Sequence, residues 1–136
     1  MDMEEFQRQI ANGFIIERVN LSQATIAEAL RFKKHLEMDI ELGYKTIVVD
    51  LSNCNSLDPA FIGVLVVTLK QLMRLGGSIK IVKPGMFSKS MLNLTGTIEK
   101  FELYESLDNA MASMVIKEQR TRDFSNRGLE QLALAQ

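Results

Sequence analysis

The run Thr46 to Val82, TIVVDLSNCNSLDPAFIGVLVVTLKQLMRLGGSIKIV, decides the fold. Its first six residues, TIVVDL, are a short unbroken apolar and β-branched stretch, the composition of a strand buried on both faces. Pro59 to Leu75 is too long and too continuously apolar for a strand, and Gly76-Gly77 ends it before a second β-branched run at Ile79 to Val82. Strand, helix, strand is a crossover unit, which lays both strands parallel in one sheet with the helix on a face of that sheet. Helical periodicity gathers Ile62, Leu65, Val66, Leu69, Leu72 and Met73 on one broad face, the side expected to meet the sheet.

Upstream, Phe6 to Ile10 and Phe14 to Val19 alternate loosely around Asn12-Gly13, a pair that favours a tight turn, so the chain is expected to open with a hairpin. Ser22 is the expected cap of a helix whose apolar positions Ile26, Ala29, Phe32, Leu36 and Ile40 recur at steps of three and four, with Gly43 closing it. Downstream, Pro84-Gly85 leads into MFSKSMLNL, a short helix with Phe87, Met91 and Leu94 on one side. FELY at Phe101 to Tyr104 is read as the last strand. Ser106 then caps a final helix with Leu107, Ala110, Met111, Met114 and Val115 as its buried stripe. The expectation is one α/β domain over residues 1–117, with helices packed on a mixed, mostly parallel sheet of four to five strands. A polar tail over 118–136, either a short helix or disordered, follows it; whether that tail serves a homodimer is open. Nothing repeats internally.

Composition narrows the function. In 136 residues, 46% are hydrophobic and 24% charged, as in an ordinary globular domain, and Lys plus Arg (16) nearly balance Asp plus Glu (17). No basic field is present to draw the chain to nucleic acid. The apolar run FIGVLVV is far shorter than the ~20 residues a membrane span needs, and the acidic N-terminal stretch does not read as a secretory signal. A cytoplasmic protein without membrane insertion is expected. Cys54 is the only cysteine and His35 the only histidine, so no internal disulfide and no zinc constellation is available.

Catalytic patterns are missing as well. Gly76-Gly77 and Lys83-Pro84-Gly85 lack the spacing of a phosphate-cradling loop. His35, beside Arg31, Lys34 and Asp39, is expected to be a solvated surface side chain, and Cys54 has no advertised base. Glu4-Glu5, Glu99 and Glu102 lie in segments that look exposed. Neither an enzyme nor a cofactor is expected. The long helix carries more information, because its first half turns Val64 and Val67 outward with Gly63 between them and Phe61 at the edge. Two readings stay open: neighbouring helices cover these residues, or they form an exposed apolar patch for docking another protein. Asn53 to Ser56 and the Met86-Phe87 turn would extend such a patch, because turns after the carboxyl ends of parallel strands gather on one edge of the sheet.

Taken together, Asp50-Leu51-Ser52, Leu57-Asp58-Pro59-Ala60-Phe61-Ile62-Gly63, Gly76-Gly77, Leu92-Asn93-Leu94-Thr95-Gly96, Phe101 to Tyr104 and Ser106 resemble the STAS family of anti-sigma factor antagonists and their relatives. The similarity covers roughly Phe6 to Met114. It implies a non-catalytic module that binds an anti-sigma factor or related kinase-like regulator. It leaves as an alternative a STAS subunit of a stressosome-like scaffold or of a lipid-transporter complex. In that family a kinase phosphorylates the serine directly after the aspartate at the start of the long helix, and this ends the interaction. Here that place is Pro59, the family's second serine is Ala60, and the following glycine is Phe61. The resemblance therefore implies a partner surface at Ser56, Asp58, Pro59, Ala60, Phe61, Val64, Val67, Met86 and Phe87, with no phosphorylation at the usual position. The nearby hydroxyls left for modification are Ser52, Ser56, Ser88 and Ser90.

Overall fold

Gly13, at φ 85°, turns the first strand, β1 (Phe6–Ala11), back on β2 (Phe14–Val19), and the pair lies antiparallel with Ala11 facing Phe14 and Arg8 facing Glu17. The computed structural model describes residues 4–11, 13–94 and 101–114. Beyond the hairpin the elements are β3 (Gln23–Ala24), α1 (Ile26–Glu41), β4 (Thr46–Asp50), β5 (Ser56–Leu57), α2 (Pro59–Arg74), β6 (Ser78–Val82), α3 (Met86–Leu94) and β7 (Glu102–Tyr104). Residues 107–114 are helical and are called α4. The main sheet has five strands in the order β1-β2-β4-β6-β7, with every pair parallel except β1–β2. The crossover read from Thr46 to Val82 is present, with β4 and β6 in register from Thr46↔Ser78 to Asp50↔Val82. The mixed sheet of an α/β domain is therefore as expected.

Alternation along these strands builds a core on each face. Ile15, Val19, Ile47, Val49, Ile79 and Ile81 pack with Phe32 and Leu36 of α1 and with Ile62, Leu65, Leu69 and Leu72 of α2. On the other side Phe14, Ile16, Val48 and Val82 pack with Ala110 and Met114 of α4. TIVVDL reads as uniformly apolar because α1 and α2 cover one of its faces and α4 the other. Lys80, in β6, is buried yet paired, its Nζ donating to Glu102 Oε2 at 2.8 Å and to the Tyr104 hydroxyl at 3.3 Å.

Glycine closes both long helices in the same way. Gly43 (φ 94°) donates to the Ile40 carbonyl and Tyr44 to that of Asp39; Gly76 (φ 79°) donates to Met73 and Gly77 to Leu72. Each is a Schellman closure, which needs a residue at positive φ just past the helix.

Three local expectations change. Ser22 does not cap α1; Thr25 does, accepting from the Ala27 amide while the Glu28 carboxylate accepts from the Thr25 amide. The displacement arises because β3 pairs in parallel with β5, Gln23 to Ser56 and Ala24 to Leu57, so the chain stays extended up to Thr25. Ile26 consequently stands 68% exposed at the helix start, and the buried stripe begins at Ala29. In α2 the buried arc is Phe61, Ile62, Leu65, Thr68, Leu69 and Leu72, with Met73 exposed, because the helix leans on α1 as well as on the sheet. Thr68 is accommodated there by donating its hydroxyl to the Val64 carbonyl at 2.8 Å. Among the described side chains of α3, Ser88 and Leu92 are buried; those of Phe87, Met91 and Leu94, the expected apolar side, lie outside the described residues. Ser106 does cap α4, accepting from the Asn109 amide at 3.1 Å; Leu107 and Met111 are half-buried there. Val115 and the tail lie outside the described residues.

Candidate docking site at the start of the long helix

Asp58 stands at φ −70° and ψ 148°, and its Oδ1 accepts from the Ala60 amide at 2.9 Å. Pro59 occupies the first helical position, where its missing N–H would have had no helical partner and its fixed φ suits the helix. The Asp58 carbonyl accepts from Phe61 and Ile62, and the Asp58 amide donates to the Ala24 carbonyl at 2.7 Å. The loop before it is stitched to the segment before α1, with the Asn55 amide donating to the Ser22 carbonyl at 2.7 Å and Asn53 Nδ2 to Asn20 Oδ1 at 2.8 Å. A pair of two-residue strands thus places the caps Thr25 and Asp58 side by side, so that α1 and α2 start level with each other.

On α2, Pro59, Gly63 and Val67 are exposed, spaced by four and therefore aligned along one ridge, while Ala60 and Val64 are half-buried against the core. Ser56 and Asp58 are half-buried at the foot of this ridge. Phe61 is not part of it. Its ring is 0% exposed and stacks on Phe32 of α1, with centroids 4.8 Å apart and planes at 14°. The expectation that Phe61 belongs to an exposed partner surface is corrected: its ring fills the space between α1 and α2. The helix start is thus covered in part: α1 covers Phe61 and leaves Pro59, Gly63 and Val67 open. On α1, Ile26 and Leu30 are 68% and 71% exposed. Sequence periodicity hid Ile26 in the buried stripe. The signal that would have released it is the Thr25-Ile26-Ala27-Glu28 capping box, which puts the cap at Thr25.

At Gly85 a Cβ would lie 2.7 Å from the Cys54 carbonyl, so the turn into α3 presses on the 53–56 loop. The side chains of Met86 and Phe87 lie outside the described residues. Among the hydroxyls, Ser88 is buried and closed to any kinase, which corrects its place as a candidate, and Ser90 is exposed. Ser52 is exposed, with its hydroxyl donating to Asp50 Oδ1 at 2.6 Å.

Burial pushes the Cys54 thiol up, and the thiol donates to the Ser56 carbonyl, so it serves packing. His35 is only half-exposed; its ring packs edge-on against Phe6 with centroids 5.1 Å apart, so it is less solvated than expected. Among the described residues no group of three His, Cys, Asp or Glu could hold a metal ion, and no helix is long and apolar enough to cross a membrane.

A hairpin-edged mixed sheet, two helices leaning together on one face and an aspartate-capped helix start at the carboxyl edge of the strands form a known architecture. Residues 7–110 match the STAS domain, and the chain belongs to that family. A candidate anti-sigma factor antagonist of Thermotoga maritima is 29% identical over 107 residues, which span 78% of this chain and 94% of that protein. The crystal structure of a candidate anti-sigma factor antagonist from Thermotoga maritima superposes with a TM-score of 0.71 at 26% identity, covering 79% of this chain and 92% of that one. An anti-sigma factor antagonist of Mycobacterium paratuberculosis has the same fold, with a TM-score of 0.72 at 21% identity over 79% of this chain and 91% of its own. So has the anti-sigma factor antagonist SpoIIAA in its unphosphorylated form, at 0.71 and 13% identity over 80% and 95% of the two chains. The phosphorylated form of SpoIIAA, a Bacillus cell fate determinant, matches at 0.65 and 13% identity over 80% and 98%.

Proposed function

We propose that this protein is a non-catalytic cytoplasmic binding module that docks a serine-kinase-type anti-sigma factor, or a related kinase-like regulator, on the ridge Pro59-Gly63-Val67. The observation that carries this is the first turn of α2: it has the capped geometry of a helix start at the strands' carboxyl edge, but its first exposed position is proline. Proline has no hydroxyl. A phosphate at that place would bring nearly two negative charges beside Asp58 and repel a partner shaped for the neutral surface. With proline there, the surface stays permanently in its unmodified, binding form. The relatives named as anti-sigma factor antagonists support the partner class.

The test uses the chain, the kinase-like partner recovered from the same cells, and ATP. The wild type is expected to bind and to take up no phosphate, whereas Pro59→Ser is expected to be phosphorylated stoichiometrically and then released. Phosphate on wild-type Ser52, Ser56 or Ser90 that frees the partner would overturn the proposal. The docking ridge itself is probed at Gly63, where an added Cβ meets nothing within 4 Å. Gly63→Ala is expected to raise stability by about 0.5–1 kcal/mol, since glycine is a poor residue inside a helix. Gly63→Glu is expected to fold equally well and to weaken partner binding at least ~10-fold in calorimetric titration, because a charge is then buried at the contact. Unchanged affinity would move the interface elsewhere.

A further inference from the structure

On the face covered by α1 two carboxyl groups are buried together. Glu17 in β2 and Asp39 in α1 are each 0% exposed. The hairpin register sets Arg8 opposite Glu17, and Arg8 Nε stands 2.8 Å from Glu17 Oε1 and 2.8 Å from Asp39 Oδ1. One N–H cannot point at both oxygens; it donates to Glu17, while the Arg8 Nη2 donates to the His35 carbonyl at 3.0 Å. Glu17 Oε2 and both oxygens of Asp39 therefore have no hydrogen-bond donor among the described residues. Two carboxylates against one guanidinium would leave a surplus buried negative charge, which a protein interior avoids. What the cluster lacks is one proton, which would remove the surplus and turn one acid into a donor for the other.

We propose that Glu17 and Asp39 hold one shared proton at neutral pH, and that this proton latches α1 onto the β1–β2 hairpin until mild alkali releases it to solvent. Burial, the hydrogen bond with Glu17 and the charge of Glu17, opposed by Arg8, push Asp39 up to about 8. The described groups facing the pair are Arg8 from β1, which stays charged, and His35 from α1, whose Nδ1 lies 3.6 Å from Glu17 Oε2. A charged His35 would compensate the same surplus from the solvent side, so its removal belongs in the test. The latch stands whether or not the α2 ridge docks a partner.

The sign follows from proton linkage. The folded chain keeps a proton that the unfolded chain gives up near the ordinary carboxylate value of 3.8, so stability is full below that value, declines as pH rises to about 8, and is level above it. Urea unfolding of the full chain between pH 5.5 and 9, followed by circular dichroism, compares wild type with Asp39→Asn and His35→Gln. Relative to Asp39→Asn, whose amide supplies the missing donor at every pH, the wild-type folding constant is expected to fall up to about 10-fold per pH unit between pH 5.5 and 7.5. His35→Gln should keep that slope. Infrared spectroscopy should show a protonated carboxylic C=O band at pH 7 that is lost by pH 9. Equal slopes in wild type and Asp39→Asn, loss of the slope in His35→Gln, or no such band at pH 7 would each overturn the latch. If Asp39→Asn failed to fold, the wild-type band and its titration would still decide.

Discussion

Phe61→Ala is expected to cost about 3–5 kcal/mol of folding free energy, the range for emptying a large aromatic side chain from a core. The ring is 0% exposed and forms the end of a string of three, with Phe6 on Phe32 at 4.9 Å and Phe32 on Phe61 at 4.8 Å, which joins β1, α1 and α2. Sheet and helices surround the site, so the cavity can close only by moving α1 toward α2. Part of the loss is specific to the stacked pair, about 0.5–1.5 kcal/mol beyond the area buried. The check is urea unfolding of Phe61→Ala, Phe32→Ala and the double variant, with a coupling energy in that range expected from the cycle. A loss below about 1 kcal/mol, the level of an ordinary surface substitution, would put the ring back at the surface and among the docking residues. The result also governs binding experiments. Lost binding in a Phe61→Asp variant would report a broken core, whereas Gly63→Glu tests the surface alone.

The crossover was legible in the sequence because its signals were redundant. Two β-branched runs, a helix too long and apolar to be a strand, and a Gly-Gly stop all agree, and Asp58-Pro59 gives cap and first turn at once. What escaped has one cause: it depends on which neighbour lies across a gap. A two-residue strand carries too little pattern to see, so the β3–β5 pairing that keeps the chain extended up to Thr25 stayed hidden, and with it the exposure of Ile26. Phe61 sits on the boundary of the apolar arc, and only the presence of α1 decides that it points inward. The acid pair was half legible. A two-residue turn at Asn12-Gly13 already sets Arg8 against Glu17, but that the strand's acid is buried under Asp39 follows from how α1 lies. For the exposed ridge of α2, the sequence named the helix start; the structure removed Phe61 from it.

Gly77→Ala is the second substitution with a large expected effect, about 3 kcal/mol or more, although it adds one methyl group to a half-buried turn. A Cβ at Gly77 would stand 2.0 Å from the Lys45 carbonyl oxygen and 2.9 Å from its carbon. Both atoms are backbone, so no side chain can swing aside. The contact is also the place where two strands are set against each other: the Ser78 amide donates to the Lys45 carbonyl at 2.9 Å, and the Thr46↔Ser78 pair of β4 and β6 begins there. Relief of the clash must pull β6 away from β4 or unwind the end of α2, where the Gly77 amide donates to Leu72 at 2.7 Å. The neighbouring Gly76→Ala separates conformational strain from collision. Its Cβ meets nothing within 4 Å, but its φ is 79°, so the expected cost is only about 1–2 kcal/mol, that of an L-residue held in the left-handed region. Denaturant midpoints of the two variants give the comparison. Equal losses would mean that Gly-Gly is there for the turn alone; a clearly larger loss at Gly77 would show that the second glycine lets β6 approach β4, and so fixes the crossover that carries α2 and its exposed ridge.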